Sequence, residues 1–136
     1  MELDDELYEQ IAKFCDIGEH YFGEGKYRKA IAEYEKAFEL IPEPKTNWES
    51  SVWALAAIGD SYFMLREFVS ALEIFEKLMK EYEEVDNPFV RVRYGQCLYE
   101  TGNAEAAKEQ LLAAYKMEGE QIFDDDKYLK LISDQI

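Results

Sequence analysis

Three stretches of the chain place small and large apolar residues at the same offsets. They are "GEHYFGEGKYRKAIAEYEKAFELIP" from Gly18, "GDSYFMLREFVSALEIFEKLMKEY" from Gly59 and "GQCLYETGNAEAAKEQLLAAYKMEG" from Gly95. Each has Gly, an aromatic or Leu three positions later, Ala twelve later and a large apolar residue sixteen later. These are Gly18, Tyr21, Ala30 and Tyr34, then Gly59, Tyr62, Ala71 and Phe75, then Gly95, Leu98, Ala107 and Leu111. The spacing predicts two antiparallel helices per stretch, with Gly and Ala where the backbones cross and the larger side chains beside the crossing. "GEGKY", "LREF" and "TGNAE" are the turns, interrupting each pair where a helix would otherwise continue.

On these residues the chain resembles the tetratricopeptide repeat, a helix-turn-helix unit of about 34 residues with a small-large-small signature. The likeness spans about residues 11 to 119 and includes a closing proline, Pro42, in the first repeat. It implies an all-α fold, a right-handed α-solenoid of three helix-turn-helix repeats plus a C-terminal capping helix. The expected organisation is one domain over 1–136, with repeats at about 11–44, 52–85 and 88–119 and the capping helix at about 125–135. The interval from Gly18 to Gly59 is 41 positions against 36 from Gly59 to Gly95. The surplus falls in "PEPKTNWESS", a loop insertion over about 42–51, where Pro42 and Pro44 block helix and Asn47 or Ser50 offers a cap. Repeat three departs from the pattern with Leu98 for the tyrosine and Arg91 where the others have Phe14 and Leu55. "LDDELYEQ" extends the first helix, its acids near the positive N-terminus. "GEQIFDDDKYLKLISDQI" supplies a turn, an acidic cap and an amphipathic segment with Tyr128, Leu129 and Ile132 on one side, which covers the last apolar face.

Composition narrows the partners. Thirty acidic against fifteen basic residues give a net charge of −15, which opposes nucleic acid and anionic membrane surfaces and favours a basic protein. Twenty aromatic residues separate the chain from the aromatic-poor composition of disordered acidic segments. A chain of this length buries roughly 68% of its unfolded surface. The longest apolar run, "VWALAAI", is too short to span a bilayer, and "MELDDELYEQ" has no export-signal pattern. Cys15 and Cys97 lack the spacing of a disulfide framework or zinc site, so buried free thiols and a cytoplasmic location are expected.

Candidate chemistry is sparse. His20 is the single histidine and lies beside the Gly18–Tyr21 stripe with no Ser or Cys at an activating spacing. Paired carboxylates on acidic helices read as solvated faces. "DDD" at 124–126 lacks the alternating ligands and Gly of a calcium loop and precedes a helical pattern, so it reads as a cap. "FGEGKY" lacks the spacing and Ser/Thr of a phosphate loop. No catalytic residue, metal or cofactor is expected.

The surface remains. In the repeat family the first helix of each hairpin lines a concave groove, and the resemblance implies groove positions at Ala12, Cys15, Glu19 and Phe22, at Trp53, Ala56, Asp60 and Phe63, and at Phe89, Val92, Gln96 and Tyr99. Phe22, Trp53, Phe63 and Phe89 could equally fill inter-repeat core, but aromatics with polar neighbours are the usual anchors of a binding surface. Some family members grip a C-terminal carboxylate with a Lys and an Asn in the first repeat; here those positions hold Cys15 and Glu19, so that activity is not expected. Arg91 falls on a packing position and reaches water or an acid such as Glu84. Arg93, one turn before Gln96, either meets a partner or pairs internally with an acid such as Asp60. The expected partner-binding set is Glu19, Phe22, Trp53, Asp60, Phe63, Phe89, Arg93, Gln96 and Tyr99.

Asn87, Pro88, Phe89, Arg93, Gly95, Gln96 and Gly102, with Gly119, Ile122, Phe123, Lys127 and Tyr128, resemble a narrower group: small cytoplasmic bacterial tetratricopeptide proteins encoded near polymorphic toxins. That likeness implies an immunity protein that binds and neutralises a basic toxin domain. The alternative is a secretion-type chaperone or scaffold that holds an extended peptide in its groove. Open solenoid ends often pair, which allows a homodimer through the terminal helix.

Overall fold

The computed structural model describes residues 3–136, and among these it contains seven α-helices and no strand. They are α1 (Asp5–Gly23), α2 (Tyr27–Leu40), α3 (Glu49–Met64), α4 (Phe68–Lys80), α5 (Pro88–Glu100), α6 (Ala104–Glu118) and α7 (Asp126–Lys130). The chain divides into two units: the first ends at Glu67 and holds α1 to α3, and the second, Phe68–Ile136, holds α4 to α7.

The helices start where the residues supply partners for unpaired N–H groups. Asp4 accepts from the Glu6 N–H at 2.8 Å, with Asp5 and Glu6 in the first turn of α1, where negative charge meets the positive end of the helix. Asn87 accepts from the N–H groups of Phe89 and Val90, and Pro88 occupies the first turn of α5, where no donor is lost. Asn103 caps α6 and Asp125 caps α7. α3 differs from expectation: neither Asn47 nor Ser50 caps it, and it follows Trp48 with no side-chain cap.

The three turns close identically at the backbone. The N–H groups of Lys26, Glu67 and Asn103 donate to the carbonyls of Tyr21, Tyr62 and Leu98 at 3.0 Å or less. Each donor lies eight positions after the repeat glycine and each acceptor three. This six-to-one bond needs a left-handed residue one position before the donor, found at Gly25, Arg66 and Gly102.

In the first unit α1 and α2 cross at Gly18, where an added Cβ would lie 2.6 Å from the Tyr34 ring. Ala30 and Ala37 are fully buried on α2, and Ile11, Cys15, Ala37 and Ile41 form one core cluster. The insertion is pinned by two long side chains. Trp48 packs on this cluster and donates its indole N–H to the Pro42 carbonyl at 3.0 Å. Lys45 donates to the Phe38 and Ile41 carbonyls, satisfying groups left open at the end of α2, while its ammonium sits 4.9 Å from the Phe38 ring centre.

In the second unit α5 and α6 cross at Gly95, where a Cβ would lie 2.9 Å from Leu111 and 3.2 Å from the Ala107 carbonyl oxygen. Phe75, Leu78, Val90, Leu111 and Ile132 are buried, each worth on the order of 2 kcal/mol relative to exposure. The C-terminal segment is shorter in α-helix than the expected 125–135: α7 ends at Lys130 and a 3₁₀ turn follows at Ser133–Gln135. Tyr128 and Ile132 are buried and Leu129 half-buried.

Candidate partner-binding site

The first helices of the hairpins do not present all the expected positions to solvent. Cys15 lies in the core with Ile11 and Ile41, and Val92 is buried. Burial pushes the Cys15 thiol up to about 12, with Glu19 and Asp16 adding to the shift, so the group stays a neutral thiol. Both cysteines are buried and unpaired with each other, as expected.

In the first unit, Glu19 is exposed, Phe22, Asp60 and Phe63 are half-buried, and Trp53 is 44% exposed. Phe22 packs edge-on against Tyr27 with ring centres 5.1 Å apart. Trp53 stands edge-on to Tyr34 at 6.2 Å, so the Tyr34 ring is held between Gly18 and Trp53. Burial raises the Tyr34 phenol to about 12, and the carboxylate of Glu19, with Cys15 and Asp60, adds to the shift. Glu19 of α1, Tyr34 of α2 and Trp53 of α3 therefore lie in one neighbourhood.

In the second unit, Phe89 is 40% exposed and Tyr99 half-buried, but Arg93 is only 8% exposed and Gln96 fully buried. Arg93 donates to the Gln96 Oε1 at 2.8 Å, pairs with Asp124 at 3.6 Å and lies 5.9 Å from the Phe89 ring centre. The expectation that Gln96 meets a partner does not fit its burial. Polar groups taken out of water need internal partners: Arg93 supplies one for the Gln96 Oε1, while the Gln96 Nε2 is buried without a hydrogen-bond partner among the described residues. For Arg93 the structure shows the internal alternative, with Asp124 as an acid partner. Arg91 is structural too: it donates to the Val85 carbonyl at 2.6 Å and to Gln110 at 3.1 Å, with no bond to Glu84 among them.

A second group was not foreseen as a network. Lys127 donates to both Glu100 oxygens at 2.8 and 3.0 Å and lies over the rings of Tyr99 and Tyr128. Tyr99 and Tyr128 meet edge-on at 6.3 Å. Burial, then the nearby Glu100 and Asp125 charges, push the Tyr128 phenol well above its ordinary range. These contacts hold α7 to the end of α5. With the Arg93–Asp124 ion pair they fasten the last segment to α5.

His20 is exposed and faces Glu24 at 3.6 Å. No group of three or more potential metal ligands occurs among the described residues, and there no helix is long and apolar enough to cross a membrane.

Comparison with known proteins supports the repeat assignment. A search of curated protein sequences found no match. Among solved structures the chain is similar to the first tetratricopeptide-repeat domain of Spaghetti (RPAP3), bound to the HSP90 peptide SRMEEVD, with a TM-score of 0.70 and 17% identity over 93% of this chain and 92% of that one. That likeness establishes the fold as that of a tetratricopeptide-repeat α-solenoid. The tetratricopeptide-repeat family profile matches residues 9–84, more than half of the sequence. With the glycine crossings and the three equivalent turns, this places the chain in the tetratricopeptide-repeat family.

Proposed function

We propose that this chain is a non-catalytic protein-binding module that docks on a basic protein domain and blocks it, as an immunity protein does to a toxin domain. The observation behind the reading is the pair of exposed aromatics, Trp53 and Phe89, on first helices of a chain with net charge −15. Aromatics that stay half-exposed are poised to bury area on a partner, and a one-sign field accelerates encounter with the opposite sign. Phe22 and Phe63 in the first unit and Tyr99 in the second, partly covered already, are further candidate contacts, with Glu19 and Asp60 as acids of the first unit. A cytoplasmic setting would keep the buried thiols reduced.

A second reading is a chaperone or scaffold for an extended peptide, favoured by the peptide on the similar RPAP3 domain. That peptide, SRMEEVD, has three acids and one arginine. This chain would repel such a sequence, and Cys15 and Glu19 offer no cation to its carboxylate. A peptide held here would be basic.

The test is reconstitution with the basic protein encoded beside this gene in its native genome. A one-to-one complex whose association rate falls at least about tenfold from low to high salt is expected, because screening removes steering. A neighbour that fails to bind, or a rate indifferent to salt, sinks the immunity reading. A short basic segment that binds as tightly as the folded domain favours the chaperone.

A further inference from the structure

The clearest unfilled recognition feature lies in the first unit, where three helices bring an acid, a phenol and an indole around one ring. Tyr34 is only 3% exposed and its hydroxyl makes no hydrogen bond among the described residues, but the oxygen at its tip keeps contact with solvent. A phenol tip open to solvent can exchange water for a donor on a partner. Tyr34 sits against Gly18 and Trp53, and the Glu19 carboxylate acts on its hydroxyl. Glu19 is exposed and has no basic partner within ion-pair distance among the described residues. Trp53 is 44% exposed. Asp60 also acts on the Tyr34 hydroxyl, more weakly than Glu19, and has an interaction of its own.

We infer that Glu19, the Tyr34 hydroxyl and the Trp53 indole form a receptor for one arginine side chain of the basic partner. The inference deepens the proposed function and rests on it. Glu19 supplies the counter-charge. The Tyr34 oxygen accepts one guanidinium N–H in place of water. The exposed Trp53 ring offers a face for cation–π contact, which arginine makes more often than lysine. The planar guanidinium has five donors, enough to serve a carboxylate and a phenol together, whereas a lysine ammonium is a compact point charge that does not stack.

The experiment follows the two indole N–H resonances of the ¹⁵N-labelled chain as a peptide Gly-Arg-Gly-Arg-Gly-Arg-Gly is added. The comparison peptides carry citrulline or lysine at the arginine positions. Trp53 should shift on binding, while Trp48, whose N–H is donated to the Pro42 carbonyl, should stay in place. Citrulline should abolish the shift and lysine should weaken binding about threefold, the loss of stacking and of a second donor. Glu19→Gln and Trp53→Ala should each weaken the arginine peptide about fivefold, and Tyr34→Phe about threefold, whereas Glu39→Gln, which removes the same charge from an exposed site on α2, should change it less than twofold. Equal effects of Glu19→Gln and Glu39→Gln, or equal shifts of both indoles, overturn the receptor. Should the folded basic partner still bind with its full salt sensitivity when Glu19 and Trp53 are replaced, the receptor is overturned and the wider reading stands.

Discussion

The residue after the packing glycine has opposite fates in the first and third hairpins. Glu19 follows Gly18 and ends in solvent; Gln96 follows Gly95 and is fully buried, accepting from Arg93. Both hairpins share one register, down to the left-handed turn residue seven positions after the glycine. The repeat pattern thus specifies how two helices cross but not what happens to the side chain beside the crossing. In the third hairpin that position became an internal polar link, joined through Arg93 to Asp124 of the chain's own C-terminal segment. In the first hairpin it stayed open to a partner.

The sharpest way to break the comparison is to remove the buried cation. Arg93→Ala deletes the donor that Gln96 accepts from and is expected to cost about 3 kcal/mol, in the range seen when one member of a buried polar pair is deleted. Glu19→Ala should stay within about 0.5 kcal/mol, as an exposed substitution does. Urea denaturation of both variants decides it, and similar midpoints would mean that the Arg93 link is idle.

Next comes the crossing itself. Gly18→Ala drives a Cβ into ring carbons at 2.6 and 2.7 Å, which a rigid aromatic cannot relieve by rotating one torsion. Overpacking of this kind costs roughly 1–3 kcal/mol, against about 1 kcal/mol recovered from the better helix propensity of Ala. A net loss of about 1 kcal/mol is expected. In Gly18→Ala combined with Tyr34→Leu, which replaces the rigid ring with a flexible side chain, the losses should fall short of additivity by about 1 kcal/mol. Strict additivity in the double-mutant cycle would show that the two positions do not press on one another.

The two hairpins also differ in what they bury at the position three before the glycine, Cys15 in one and Val92 in the other. The folded state holds Cys15 as a thiol, raised to about 12 by burial from an ordinary 9, and Tyr34 as a phenol, raised to about 12 from 10. For a group whose pKa is raised on folding, the unfolded chain loses its proton first. Its contribution is therefore whole below pH 9 and is lost progressively as pH rises toward 12. Stability should fall by about 1 kcal/mol per pH unit per group through that window. Cys15→Val should remove the fall that begins near pH 9 and lower the slope by one group up to about pH 12, leaving the fall above pH 10 that belongs to the tyrosines. A pH-stability profile that Cys15→Val does not alter would place the thiol in water.

Much of this architecture was legible in the sequence because it rests on local chemistry. The offsets of Gly, Ala and the large residue repeat in the text of the chain, and Asn87 with Pro88 announces a helix start by residue type alone. Arg93 and Gln96 were legible as neighbours, three apart on one helix side. Which way that side faced was not legible, since Asp124 lies far along the chain and no local pattern ties it to α5. The insertion failed for a related reason. Asn47 and Ser50 look like caps, yet Lys45 and Trp48 fold the loop by reaching back four to seven residues to backbone carbonyls. The exposure of Trp53 and Phe89 was equally undecided, because an aromatic on a repeat helix has the same spacing whether it packs or anchors.

The smallest effect concerns the turn that all hairpins share. The left-handed position is Gly25 in the first, Arg66 with φ of 62° in the second and Gly102 in the third. An L-residue with a Cβ is disfavoured in that conformation by about 1 kcal/mol, a penalty glycine escapes. Arg66→Gly removes the penalty, but it also loosens the unfolded chain and deletes an interaction the arginine makes elsewhere. A gain of no more than about 0.5 kcal/mol is therefore expected. Gly102→Arg, the reverse exchange in the third hairpin, should cost about 1 kcal/mol, since an added Cβ meets open space there and only the backbone strain is felt. Thermal unfolding of the two variants separates the contributions. If Gly102→Arg is neutral, the left-handed conformation costs a residue with a Cβ nothing measurable in this turn.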